Sequence, residues 1–105
     1  MTAVTDKYIL DGHKPVPCFN LMKFARWFEN ANRHVAKTKI DDITISTVFL
    51  GLNHGFGKGP PLLFETMIFG GRFDEDMWRY STWDEAEKGH QKAVEKVRAN
   101  RKEKK

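Results

Sequence analysis

Residues 43–52 read ITISTVFLGL, and residues 61–71 read PLLFETMIFGG. These two runs decide the fold. In the first, β-branched residues alternate along the chain, as in a strand rather than a helix. Ile43, Ile45, Thr47 and Phe49 share one side, and Thr44, Ser46, Val48 and Leu50 the other. Neither side is fully polar, which predicts a central strand covered on both faces. The second run sets Phe64, Thr66 and Ile68 against Leu63, Glu65, Met67 and Phe69, and Gly70-Gly71 breaks it. After the polar turn RFDED, MWRYS at 77–81 alternates again. Three strands in a meander are expected.

The link between the first two strands, GLNHGFGKGPP at 51–61, is rich in glycine and carries Lys58. A phosphate-cradling loop requires G-x-x-x-x-G-K-[ST] between a strand and a helix. Here Leu52 stands five residues before Gly57, Gly59 follows the lysine, and Pro60-Pro61 leads into a strand. The helix whose dipole would receive the phosphate is missing. The segment therefore reads as a strand connection, with a looser anion nest around Lys58 as the remaining ligand reading.

Upstream, KYIL at 7–10 and HKPVP at 13–17 flank Asp11-Gly12, a hairpin turn dipeptide. Pro15 and Pro17 confine the second limb to an edge. Asn20 is a helix N-cap, and Leu21, Phe24 and Phe28 form a helical stripe expected to face the core. That helix is expected to end between His34 and Lys37, with TKIDD at 38–42 as a polar connection. Downstream, Thr82-Trp83-Asp84-Glu85 is a capping box opening a second helix. Its apolar face runs Trp83, Ala86, His90, Ala93 or Val94, and Val97. Gly89 costs about 1 kcal/mol relative to Ala, tolerable where the backbone packs closely. The order is β-hairpin–α–β–β–β–α. It predicts one α+β domain over residues 1–97, a mostly antiparallel sheet of three to five strands packed by two helices, with a frayed basic tail at 98–105.

Composition narrows the function. The chain has 105 residues, 40% hydrophobic and 12% aromatic, enough for one small core. Residues 88–105 hold eight Lys/Arg against two acids, net +6, whereas the rest holds ten against twelve, net −2. The basic character thus resides in the second helix and tail, where it suits nucleic acid or simply the negative pole of a helix. The lone Cys18 excludes an intramolecular disulfide. The N-terminus lacks a signal-like apolar run, and no stretch approaches the roughly 20 apolar residues of a membrane span. A cytoplasmic protein with no membrane partner is expected. No metal-ligand spacing and no cofactor motif appears among His13, His34, His54 and His90. His90, on the apolar helix face, reads as a hydrogen-bonded core histidine.

Glu65 is the most informative side chain, because a carboxylate in an apolar strand must be paired, hydrogen-bonded or kept protonated. Pairing with Arg79 or Arg72 is the structural reading. Glu65 with His54 as an acid/base pair of a small hydrolase is the catalytic one, although no nucleophile or oxyanion motif accompanies them. His54, Lys58, Glu65, Arg72 and Arg79 are the candidate ligand or polyanion contacts. Phe56, Trp78 and Trp27 are the candidate interaction surface, since a displayed aromatic anchors a partner or stacks on a base.

Four runs carry a resemblance: Ala25-Arg26-Trp27-Phe28, Ser46-Thr47-Val48-Phe49-Leu50-Gly51-Leu52, Pro60-Pro61-Leu62-Leu63-Phe64-Glu65-Thr66-Met67, and Tyr80-Ser81-Thr82. On these the chain resembles a family of short proteins found in phage genomes, prophages and many bacteria, from Tyr8 to about Val97. The resemblance implies a phage or mobile-element setting and a small autonomous domain. It brings no activity. The expectation is a non-catalytic protein that binds a host protein, or itself as a homodimer. The alternative is a nucleic-acid or nucleotide-binding protein using the Gly-rich loop and basic tail.

Overall fold

The computed structural model describes residues 5–55 and 59–103, the side chain of Glu103 excepted. Its elements are β1 (Tyr8–Asp11), β2 (Lys14–Pro17), α1 (Leu21–Asn30), β3 (His34–Ile40), β4 (Ile43–Phe49), β5 (Phe64–Phe69), β6 (Met77–Tyr80) and α2 (Trp83–Glu103). β1 and β2 form a hairpin, and β3-β4-β5-β6 form an antiparallel sheet in chain order. The fold is α+β, as the alternation of strand and helix patterns predicts.

One strand departs from expectation. The segment expected to finish the first helix and become a polar link is β3. α1 stops at Asn30, and Ala31 has extended backbone. The Asn32 side chain then accepts the His34 amide at 3.1 Å, a local bond that competes with helix. Beyond it, Ala36, Thr38 and Ile40 alternate with Lys37 and Lys39, and Asp41-Asp42 turns the chain so that Ile40 pairs with Ile43. A register shift between His34 and Ala36 bends the strand, and lysines on such an edge discourage pairing with another sheet.

α2 lies across one face of the four-stranded sheet. Ile43, Ile45 and Ile68 pack against Ala93, Val94 and Val97. Phe49, Leu63 and Phe64 pack around Ala86, with Tyr8, Leu10, Trp27, Val35, Tyr80 and Trp83 around them. Between these clusters lies a polar joint. His90 Nε2 is 2.8 Å from Thr38 Oγ1, His90 Nδ1 is 2.8 Å from Thr47 Oγ1, and Thr47 meets Thr66 at 2.5 Å. A neutral imidazole, donor at one nitrogen and acceptor at the other, satisfies this chain in either tautomer. Burial lowers the His90 pKa from its ordinary value of 6.5, by desolvating the charged ring. His90 is therefore the core histidine that its helix face predicts.

Two helix expectations change. Leu21, expected in the core, is 62% exposed together with Phe19 and Met22. The inward residues of α1 are Phe24, Phe28 and Trp27, the last edge-on to Phe49 at 5.7 Å between ring centres. Gly51 makes this packing possible: its φ is +81°, and a Cβ there would sit 3.0 Å from the Phe28 ring. At the other end, 98–103 continue α2, and Arg101 reaches Asp42 at 2.7 Å and Asp41 at 3.6 Å. Lys104 and Lys105 lie outside the described residues.

Candidate functional site

Strand register places three rows of side chains on the sheet face turned away from α2, because directly paired residues share a face. One row runs His34, Val48, Glu65, Arg79; the next Lys37, Ser46, Met67, Met77; the third Lys39, Thr44, Phe69. None of these residues is buried, although each partner one step along β4 or β5 on the α2 side is. No helix or strand among the described residues covers this face. The expectation that β4 is central is met, but the expectation that both its faces are covered is not. Phe69 is 46% and Met77 43% exposed, large values for side chains in paired strands.

The face has a chemical gradient. Its β3 side carries Lys37, Lys39 and His34. Its middle is small and polar, with Thr44 and Ser46. Its β5–β6 side is apolar, with Met67, Phe69 and Met77 flanking one ion pair. That pair is Glu65 with Arg79, Nε to Oε2 at 3.0 Å, both side chains less than a third exposed. The two residues are direct cross-strand partners, so antiparallel register alone aligns the guanidinium with the carboxylate. Glu65 is thus neutralised by the neighbour that the strand pattern offers.

The remaining candidates are dispersed. His54 Nδ1 bonds the Leu52 carbonyl at 2.8 Å, and the His54 amide donates to Leu62 O at 3.0 Å, two residues before β5. Arg72 lies in the turn beyond the other end of β5, its guanidinium 5.8 Å from the centre of the Phe73 ring. Neither hydrogen-bonds Glu65 among the described residues. Lys58 and Phe56 lie outside the described residues. Trp27 belongs largely to the core beside Phe49. Trp78 is exposed, on the α2 side of β6. Among the described residues no group of three or more His, Cys, Asp or Glu side chains is placed to hold a metal ion. No helix among them is long and apolar enough to cross a membrane.

Around the Gly-rich link, Asn53 Oδ1 accepts the amides of Gly55 at 2.8 Å and Leu62 at 3.0 Å, and Leu50 N–H bonds Leu63 O at 2.7 Å. One side-chain amide therefore ties the outgoing limb to the returning one. Sequence reasoning passed over Asn53, although an Asn before a His-Gly turn is a recognised bracing signal. No family model, curated protein or solved structure matches the chain.

Proposed function

We propose that this protein is a non-catalytic binding domain that docks an acidic, apolar surface of another protein on the open face of its four-stranded sheet. The observation that carries this reading is the uncovered face itself, where Met67, Phe69 and Met77 stand beside a lysine-bearing strand. Exposed apolar side chains bordered by polar and charged ones are what a protein interface combines. Sign argues for a different protein over a second copy. The only acid on the three rows is Glu65, already held by Arg79, so an isologous pair would set two cationic faces together. A phage-encoded protein acting on a host protein in the cytoplasm is the setting this proposal adopts from the sequence resemblance.

The test compares capture by the wild type with capture by Phe69→Asp and Met77→Asp, and by Gln91→Asp as a control on the exposed side of α2. A partner retained by the wild type and the control and lost by the two sheet variants supports the reading. Equal retention by all four overturns it. Light scattering on the free protein separates the remaining occupant: a dimer dispersed by Phe69→Asp would replace the foreign partner with a second copy.

A further inference from the structure

Lys88, Lys92 and Lys96 recur every four residues on α2, all exposed and on one stripe. Successive members are about 6 Å apart along the helix axis. Like charges at this spacing destabilise a helix. Asp84 stands one repeat before Lys88 on the same stripe, and Glu85, which lines the groove beside it, accepts the Ser81 and Thr82 amides at 3.1 Å each as part of the helix cap. Lys96 pairs with Asp76 at 3.2 Å, while Lys88 and Lys92 form no ion pair among the described residues.

Facing this stripe is the edge strand β6, whose Trp78 and Tyr80 point to the same side, about 7 Å apart along the strand. A groove of about 550 Å³ separates the two walls, with Gly89 and Ala93 at its floor. Tyr80 lies against Gly89, where any Cβ would overlap its phenol ring. Trp78 lies beside Lys96, whose Nζ is 5.2 Å from the indole centre. Lys88 and Lys92 line the same groove. The groove is on the α2 side of the sheet, away from the open face, and does not depend on what binds there.

We propose that this groove binds single-stranded nucleic acid, with bases against Trp78 and Tyr80 and the phosphate backbone along Lys88, Lys92 and Lys96. A chain in which a flat π-surface and an anion recur together matches both walls; an acidic peptide matches only the lysines. Base contact here is stacking, which every base offers, so the site is indifferent to sequence.

Fluorescence anisotropy of a labelled oligothymidylate of about ten nucleotides with the full chain tests this. Two to three neutralised phosphates predict a log–log salt slope of about −1.4 to −2.1, hence about 7- to 18-fold weaker binding between about 50 and 200 mM salt. Lys88→Gln with Lys92→Gln, at exposed helix positions, should flatten that slope by about 1.4. Trp78→Leu should weaken binding by about 5- to 150-fold. Neutralising Arg98, Lys102, Lys104 and Lys105 to Gln should leave the Trp78 effect intact. The proposal is overturned by a dissociation constant above about 100 µM at low salt, or by equal affinity for a polyglutamate peptide or a duplex of the same length. It is equally overturned by binding that follows the tail substitutions and ignores Lys88 and Lys92.

Discussion

Gly89→Ala should destabilise this protein, although the same change in an exposed helix interior normally stabilises it. Helix propensity favours Ala by about 1 kcal/mol. Against this, the added Cβ would overlap the Tyr80 ring, which is half-buried between β6 and α2. Forcing one extra carbon into a packed contact costs about 1–3 kcal/mol. The net change is a loss of about 0–2 kcal/mol. The Tyr80→Val background removes the ring while keeping a residue suited to a strand. There, Gly89→Ala should recover its full gain of about 1 kcal/mol, giving a coupling of about 1–3 kcal/mol between the two positions. Urea unfolding of the four proteins, with the m-value checked for constancy, measures it. A gain of about 1 kcal/mol from Gly89→Ala in both backgrounds, with no coupling, would refute the close approach of Tyr80 to the helix and with it the shape of the groove.

Three further outcomes follow from single contacts. Burial lowers the His90 pKa, so the unfolded chain binds more protons than the folded one as pH falls through 6.5. Stability should therefore decline between about pH 7.5 and 5.5, and His90→Gln should flatten that decline; an unchanged slope in urea titrations of the variant would remove His90 as its cause. Thr82→Ala deletes the hydroxyl that accepts the Glu85 amide at 3.1 Å and should cost about 1 kcal/mol by thermal or urea unfolding. Glu65→Gln and Arg79→Gln should show a coupling of about 1 kcal/mol in a double-mutant cycle, between the values typical of exposed and of buried pairs.

Strands β4, β5 and β6 are legible in the sequence because their alternation is strict and β-branched or aromatic residues supply it. The helix of the capping box is legible for the matching reason: Ala86, His90, Ala93, Val94 and Val97 keep helical spacing, and all are buried. β3 was obscured because Val35 extends the apolar spacing of α1, while Lys37 and Lys39 resemble a solvated link. Only the hydrogen bond of Asn32 and the register with β4 reveal the edge strand. Period-two alternation also says which residues share a face, but not which face is covered. Thr44, Ser46 and Val48 look equally suited to a thin core or to an open surface, so the candidate site was invisible until α2 occupied the opposite side. The Glu65–Arg79 pair was legible as one of two choices, and register selected it over Arg72. The three lysines facing Trp78 and Tyr80 were not legible as a group, since their meeting depends on β6 ending the sheet beside α2.

The open face is the centre of this account, and photocrosslinking reads its contacts most directly. p-Benzoylphenylalanine at position 69 would report the open sheet face, and the same group at position 91 the exposed side of α2. Irradiation with the captured partner should give a covalent adduct from position 69 and none from position 91. An adduct from position 91 alone would contradict the assignment of the binding surface.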